Sequence, residues 1–422
     1  MKSGSSGSEH VASGPASVGA ADGGTRMRLS DLVSELTSRQ TAATDLLRKF
    51  VEIESGSYDK AGVDRVGNVL ATRFEALGFG IERLPQESTG DHLIATRRGS
   101  GRGRLLILIH LDTVWPPGTL EEFPFEIRDG RATGPGVLDM KGGWVVLLSA
   151  LEALRDSEWE SYERITVFMT GDEELGSPTG RGAIERLARE HEWALVLEPA
   201  RESGAFVTQR GAVGAVFVDV EGVTAHAMGS TSGASAIIEA AHLAIALEQL
   251  TDREHGVIVN IGILSGGSAR QVVPDRARLT IDLRAPNQEK ADSLIGRVTD
   301  IVNRRTVPGT RAALSGGITR PAYASDQADS ELYRTAVRCA HALGIAVGAE
   351  STRGGSDANF TAALGIPTLD GLGPEGGNGC TRSEYVLLDS LPRRSGLLAS
   401  VIAETAAPGS VALVEGNSAV GT

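Results

Sequence analysis

The sequence predicts an α/β protein, a mostly parallel sheet flanked by helices and interrupted by a small inserted βαββαβ sandwich. Three observations predict it. Short apolar runs of strand length, Leu105–Ile109, Ile165–Met169 and Leu195–Leu197, alternate with segments of helical period, and runs that are apolar throughout belong to strands covered on both faces. Between about 211 and 315 the order becomes strand, helix, strand, strand, helix, strand. A chain of 422 residues exceeds what one hydrophobic core accommodates, so a second domain is expected within the first.

Taken in order, Leu32, Val33 and Leu36, then Leu46, Leu47, Phe50 and Val51, recur at helical spacing, with Ser30 and Thr41 as expected caps. The period resumes over Asp64–Leu77 and stops at Gly78. Leu93–Thr96 reads as a strand, and Met140–Leu154 and Thr179–His191 as helices. Within the insert, Ala215–Val220, Val257–Ile263, Ala277–Leu283 and Arg311–Leu314 read as strands, and Ala234–Leu250 and Gln288–Val302 as helices. Helical Ser330–Leu343, a strand at Ile345–Val347, and helices near Asp357–Leu364 and Leu391–Thr405 rejoin the first domain. The chain thus divides into a main domain over 27–210 and 316–406 and an insert over 211–315. A leader or tag over 1–26 and a tail over 407–422, rich in small residues, are expected to be disordered.

Composition narrows the function. Lys and Arg number 41 against 54 Asp and Glu, a net charge of −13, which gives no electrostatic reason to expect nucleic acid or an anionic membrane as partner. No run approaches the roughly twenty apolar residues of a membrane span. Cys339 and Cys380 are too few for a disulfide framework and fit a reducing compartment, so a cytoplasmic location is expected.

In largely parallel sheets, functional groups gather beyond the carboxyl ends of the strands. Leu105–Thr113 ends an apolar run on His110 and sets Asp112 two residues on. On an extended chain the two face the same way, so Asp112 is expected to bond the ring nitrogen of His110 that is not on a metal. Alone, the pair equally describes a solvated strand end. Gly134–Gly143 places Asp139 before a helix, a position for a helix cap or for a carboxylate bridging two cations. Met169–Ser177 holds Glu173 and Glu174 side by side, either a solvated charge pair or, beside a metal, one ligand and one proton carrier. Glu198 closes Leu195–Pro199. Together His110, Asp139, Glu174 and Glu198 offer one nitrogen and three carboxylates, a set suited to zinc or another divalent metal.

The ordered series HLDT, GPGxxDxKGG, DEExGS and LEP resembles the zinc metallopeptidase family that includes glutamate carboxypeptidase, aminoacylase, acetylornithine deacetylase and succinyl-diaminopimelate desuccinylase. The glutamate carboxypeptidase branch is the nearest in motif, and the resemblance runs from about Leu29 to Thr405. It implies a zinc-peptidase-like catalytic domain with an inserted ferredoxin-like dimerisation domain, and hence a homodimer. It also implies about two zinc ions per protomer, bridged by Asp139 and a water. His110 and Glu198 would hold one ion and Glu174 the other, with Glu173 as general base and acid and a cis peptide at Asp139–Met140. The segment Gly222–Gly229 resembles the one whose His, here His226, reaches the partner's active site to stabilise an oxyanion. Ser315–Ala322 resembles the stretch that supplies an arginine, here Arg320, for the substrate's carboxylate, although an arginine near a domain junction equally forms a salt bridge. The implied reaction is hydrolysis of an amide bond in an N-acyl amino acid or small peptide with a free carboxylate, by carboxypeptidase, deacylase or desuccinylase action.

Two positions depart from the family pattern. Gln271 stands where relatives carry a substrate-contacting Asn, and it makes the same amide hydrogen bonds from a longer arm. In Gly376–Val386 relatives supply a His before the Glu-Tyr pair, whereas counting back from Glu384 reaches Cys380. Cys380 is then either a thiolate ligand of the second zinc or a small thiol where a ligand has been lost. The departure keeps open an amide-forming acyltransferase that reuses the fold, and a carboxylate-binding protein without turnover.

Overall fold

A computed structural model describes residues 27–228, 232–323 and 330–412. The expected leader over 1–26 and the tail from 413 onward lie outside these residues. The main sheet has six strands in the spatial order Thr368–Leu369, Trp193–Val196, Arg104–His110, Arg164–Thr170, His92–Arg98 and Gly80–Leu84. The first four are parallel, His92–Arg98 runs antiparallel to them, and Gly80–Leu84 pairs antiparallel with His92–Arg98. The apolar run at Arg104–His110 is a central strand for a visible reason. Leu105, Ile107 and Ile109 enter the core beneath the helices Gly143–Asp156 and Ser390–Ala406, while Leu106 and Leu108 enter the opposite core with Ile184 and Phe360. A strand with both faces covered has no position for a polar side chain until it ends, at His110.

The insert follows the expected order. Strands Ala212–Glu221, Ile258–Gly266, Arg276–Ala285 and Arg311–Arg320 form an antiparallel sheet in the order second, third, first, fourth. Burial alternates along Ala212–Val220, the period-2 signature of a sheet with one covered face. Val216, Val218 and Val220 pack there on Leu243 and Leu247 of the helix Ala236–Glu248 and on Leu294 and Val298 of the helix Gln288–Val302. The last strand continues to Arg320 and so passes from the insert directly into the site.

Several local expectations are corrected. The first helices, Leu29–Ser38 and Gln40–Val51, have Arg28 and Arg39 in the N-cap positions, without side-chain caps, so Ser30 and Thr41 lie inside the helices. The strand expected at Ile345–Val347 forms instead at Ala349–Thr352, drawn there by parallel pairing with Phe206–Arg210. The expected loose tail from Ala407 is partly structured, because Val411–Ala412 pairs in parallel with Met27–Arg28. A second small sheet, in the order Gly376–Gly377, Tyr385–Leu387, Arg131–Thr133 and Glu126–Arg128, was not foreseen. Its strands are too short to carry a period.

One buried charge holds the rim of the site. The Arg394 side chain is fully buried and donates to the carbonyls of Gly373 (2.9 Å), Gly204 (3.2 Å) and Gly371. Burial lowers its pKa to about 10. Gly373 N in turn donates to Glu198 O at 2.8 Å. Arg394→Met would orphan three buried carbonyls, and an unfolding free energy lower by about 2–5 kcal/mol is expected from denaturant titration. A change below about 0.5 kcal/mol would mean that water replaces the guanidinium freely.

Candidate metal centre

Four chain segments deliver acidic or imidazole groups to one place. His110 is the last residue of its strand, Glu198 follows Trp193–Val196, and Glu173 and Glu174 open the single turn Glu173–Leu175 beyond Arg164–Thr170. Asp139 lies in the turn Val137–Gly142 that feeds the helix Gly143–Asp156, and the Asp139–Met140 peptide is cis. This helix packs so closely on the strand end that a Cβ at Gly143 would stand 2.6 Å from the Leu197 carbonyl, which explains the glycine there.

Ligand atoms of His110, Asp139 and Glu174 lie within 4.8 Å of one another, as do those of His110, Glu173 and Glu198. His110 Nε2 is 3.1 Å from Asp139 Oδ1 and 3.8 Å from Glu198 Oε1. The residues expected to share a cation are therefore brought together, and His110 belongs to both groups. Two further features fit a divalent cation. Glu174 Oε1 is shut off from solvent with no hydrogen-bond partner. The Glu198 side chain, 11 % exposed, has the His110 ring as its ion-pair partner.

The electrostatics agree. Burial and the nearby Asp139 push Glu174 and Glu198 well above the ordinary carboxylate range. Burial alone would depress His110, but hydrogen bonds to Asp112 and Asp139 hold it well above its usual value. Burial raises Glu173 to about 7, against the pull of Arg320 and His110. Crowded carboxylates in a buried pocket call for positive charge.

Asp112 does not orient His110 in the expected way. The strand ends at His110, and Nδ1 meets the Asp112 backbone carbonyl at 2.9 Å, while the nearer carboxylate oxygen is 3.5 Å away. The Asp112 carboxylate accepts instead from Ser57 Oγ (2.7 Å), Glu173 N (3.0 Å) and Glu174 N (3.1 Å). It is fully buried, and it fixes the turn that carries both glutamates.

Arg320 is also placed differently. Its Nη1 is 2.7 Å from Glu173 Oε1 and its Nη2 donates to Glu173 O at 2.7 Å, so its fork is occupied by Glu173. Cys380 is on the cavity wall, with Sγ 3.4 Å from Asp139 Oδ2. His226 and Gln271 do not line this protomer's cavity. Both are exposed at the small strand pair Ala225–His226 and Val272–Val273, where Ala227 N donates to Gln271 O at 3.0 Å.

Sequence reasoning missed several supporting residues. Glu384 Oε1 accepts from Leu138 N (2.8 Å) and Asp139 N (3.0 Å), which locks the backbone at Asp139. Asp357 accepts from Thr170 Oγ1 at 2.7 Å and from Ser177 Oγ, and stands 3.6 Å from Arg320 Nη2. Its signal was the Gly-rich approach Gly354–Gly355 before a helix, the same cue that singled out Asp139. Arg210, anchored by Nε to Asp370 at 2.7 Å, adds a buried cation to the wall.

The cavity measures about 690 Å³ and is lined by Asp139, Glu174 and Glu198 together with Val213, Arg284 and Arg320 from strands of the four-stranded antiparallel sheet. Residues 106–404 match the model described as Peptidase family M20/M25/M40. The chain is 30% identical over 383 residues to carboxypeptidase G2 of Pseudomonas sp. (strain RS-16), covering 89% of this chain and 92% of that protein. It is 29% identical over 330 residues to succinyl-diaminopimelate desuccinylase of Xanthomonas campestris pv. campestris (strain B100), covering 72% and 84%. Aminopeptidase PepT from Bacillus cereus ATCC 10987 superposes with a TM-score of 0.67 at 23% identity, over 87% of this chain and 99% of that one, a likeness of fold. The chain belongs to peptidase family M20/M25/M40.

Proposed function

We propose that the protein is a dizinc amidohydrolase of the glutamate carboxypeptidase kind, cleaving an amide bond of an N-acyl amino acid or small peptide with a free carboxylate. One observation supports the reading: Glu173, a buried carboxylate, lies with His110 and Glu198 in one of the two converged groups of ligand atoms and lines the cavity, where burial pushes it up to about 7. Zinc held by His110, Asp139, Glu174 and Glu198 would polarise the scissile carbonyl and acidify water. Arg320 holds Glu173 Oε1, leaving Oε2 to take the proton of the attacking water and pass it to the departing amine. Arg201, Arg210, Arg284 and Arg320 all line the cavity and supply the guanidinium groups from which the substrate carboxylate would be held, with Arg320 the one nearest Glu173.

The same reading makes the working unit a homodimer. Ile245, Ile263 and Leu264 are exposed on the insert's helix Ala236–Glu248 and strand Ile258–Gly266, apolar surface that a second copy would cover. His226 would reach the partner's cavity and stabilise the oxyanion, with Gln271 beside it on the substrate. No helix among the described residues is long and apolar enough to cross a membrane, and Cys339 and Cys380 are unpaired, which supports a cytoplasmic enzyme.

The test is hydrolysis of N-acyl-glutamates by the zinc-loaded chain, with N-succinyl and N-acetyl diamino acids in parallel. Equimolar release of glutamate and acyl acid, abolished by a chelator, is expected. Release from the diamino acid substrates alone would move the function to the desuccinylase or deacetylase side. No hydrolysis of either set would overturn the reading.

A further inference from the structure

We propose that the groove between residues 56–59 and 113–117 is the acyl-side subsite of the protein and takes an uncharged, apolar acyl group; this rests on the amidohydrolase reading above. The groove holds about 280 Å³, and Tyr58, Val114, Trp115, Pro116 and Leu175 supply its apolar surface. Tyr58 is 86 % exposed and Val114 45 %, so this chain leaves the patch uncovered. Glu174 and Leu175 line both this groove and the cavity that holds the arginines. A substrate whose carboxylate is held by those arginines has the other side of its amide bond free to enter the groove. The charges there favour an uncharged group. The carboxylates lining it are Glu174 and Asp59, the latter 3.6 Å from Arg65, and among the described residues no Lys or Arg lines it. Arg382, 5.7 Å from the centre of the Trp115 ring, is bound to Glu122 at 2.9 Å. A second carboxylate, as in a succinyl group, would meet like charge in the groove and find no partner.

The groove is preformed. Ser57 N donates to Thr113 O at 3.1 Å and Thr113 N to Ser55 O at 2.8 Å, which ties its two walls together. Their close approach requires a glycine, since a Cβ at Gly56 would stand 2.2 Å from the Trp115 carbonyl oxygen. Ser57 Oγ donates to Asp112, the carboxylate that also accepts from the amides of Glu173 and Glu174, so the walls are fixed relative to the acids of the centre. Trp115 Nε1 donates to Glu384 Oε2 at 3.4 Å, and its ring packs against Phe123 with centroids 5.7 Å apart. A wall held in this way loses little side-chain freedom on binding, and an apolar acyl group gains contact with its aromatic and proline surfaces.

The experiment compares N-benzoyl-, N-hexanoyl-, N-acetyl- and N-succinyl-glutamate on the zinc-loaded full chain. The amino-acid half is constant, so ratios of kcat/KM read the acyl side alone. The two apolar acyl groups are expected to exceed both acetyl and succinyl by about tenfold or more. Tyr58→Ala and Trp115→Ala should each lower the benzoyl-to-acetyl ratio by about threefold or more. A disturbed zinc site slows both substrates and cancels in that ratio, and Tyr58 is exposed enough for its variants to fold. Tyr58→Arg should raise succinyl relative to benzoyl. Equal kcat/KM for the four substrates, or ratios unchanged in all three variants, overturns the subsite and leaves the amidohydrolase reading standing. Unchanged ratios with a smaller native mass in the Tyr58 variants, read by light scattering, would give the patch to a second copy instead. No hydrolysis of any of the four overturns the amidohydrolase reading and the subsite with it.

Discussion

Replacing Glu173 by Gln is expected to lower kcat by about 10²–10⁴-fold, the usual contribution of a positioned acid–base group. The substitution is nearly isosteric. The amide oxygen still accepts from Arg320 Nη1, which stands 2.7 Å from Oε1 in the native protein, and the backbone amide of residue 173 still reaches Asp112 at 3.0 Å. The capacity to take and return a proton is removed, together with the carboxylate's charge beside Arg320. KM and metal content should therefore stay near wild type, separating loss of chemistry from loss of binding. Steady-state kinetics with metal analysis checks this; a kcat within about threefold of wild type would assign the proton transfer elsewhere.

Asp139→Ala should have the other large effect, loss of bound metal and of all measurable turnover. In the proposed dizinc centre Asp139 is the bridging carboxylate, and its ligand atom lies within 4.8 Å of those of His110 and Glu174. Circular dichroism should show a folded chain, since the side chain sits at a cavity wall. Elemental analysis that finds wild-type metal in this variant would contradict the bridging role. Glu384→Gln should give a weaker version of the same defect. Its carboxylate touches the backbone amides of Leu138 and Asp139, so a roughly 10–100-fold loss of metal affinity is expected from disturbing such a support.

The residues legible in sequence share one property: their signal is local. Leu105–Ile109 is apolar on both faces because both are covered, and the first polar residue after such a run has to lie at the sheet's carboxyl edge. The same logic located Glu173, Glu174 and Glu198. Asp112 shows where period-2 reasoning stops. The strand ends at His110, and the Asp112 carboxylate, 3.5 Å from the ring, makes its closer hydrogen bonds to Ser57 and the amides of the Glu173 turn. Arg320 shows a different limit. Its partner Glu173 is brought near by the last strand of the insert returning to the main domain, a pairing set by tertiary topology, and no spacing in the chain announces it. Glu384 escaped for the same reason, since its partners are backbone amides distant in sequence. Gly376–Gly377 and its neighbours form a sheet of two- and three-residue strands, below the length at which hydrophobic period carries information.

Zinc content per chain, measured by elemental analysis after loading the purified full-length protein and removing unbound metal, tests the central claim most directly. About two zinc ions per chain are predicted under the proposed dizinc reading, because the converged acids and His110 form two overlapping groups of ligand atoms, each within 4.8 Å. A chain that retains no zinc after loading would contradict the account.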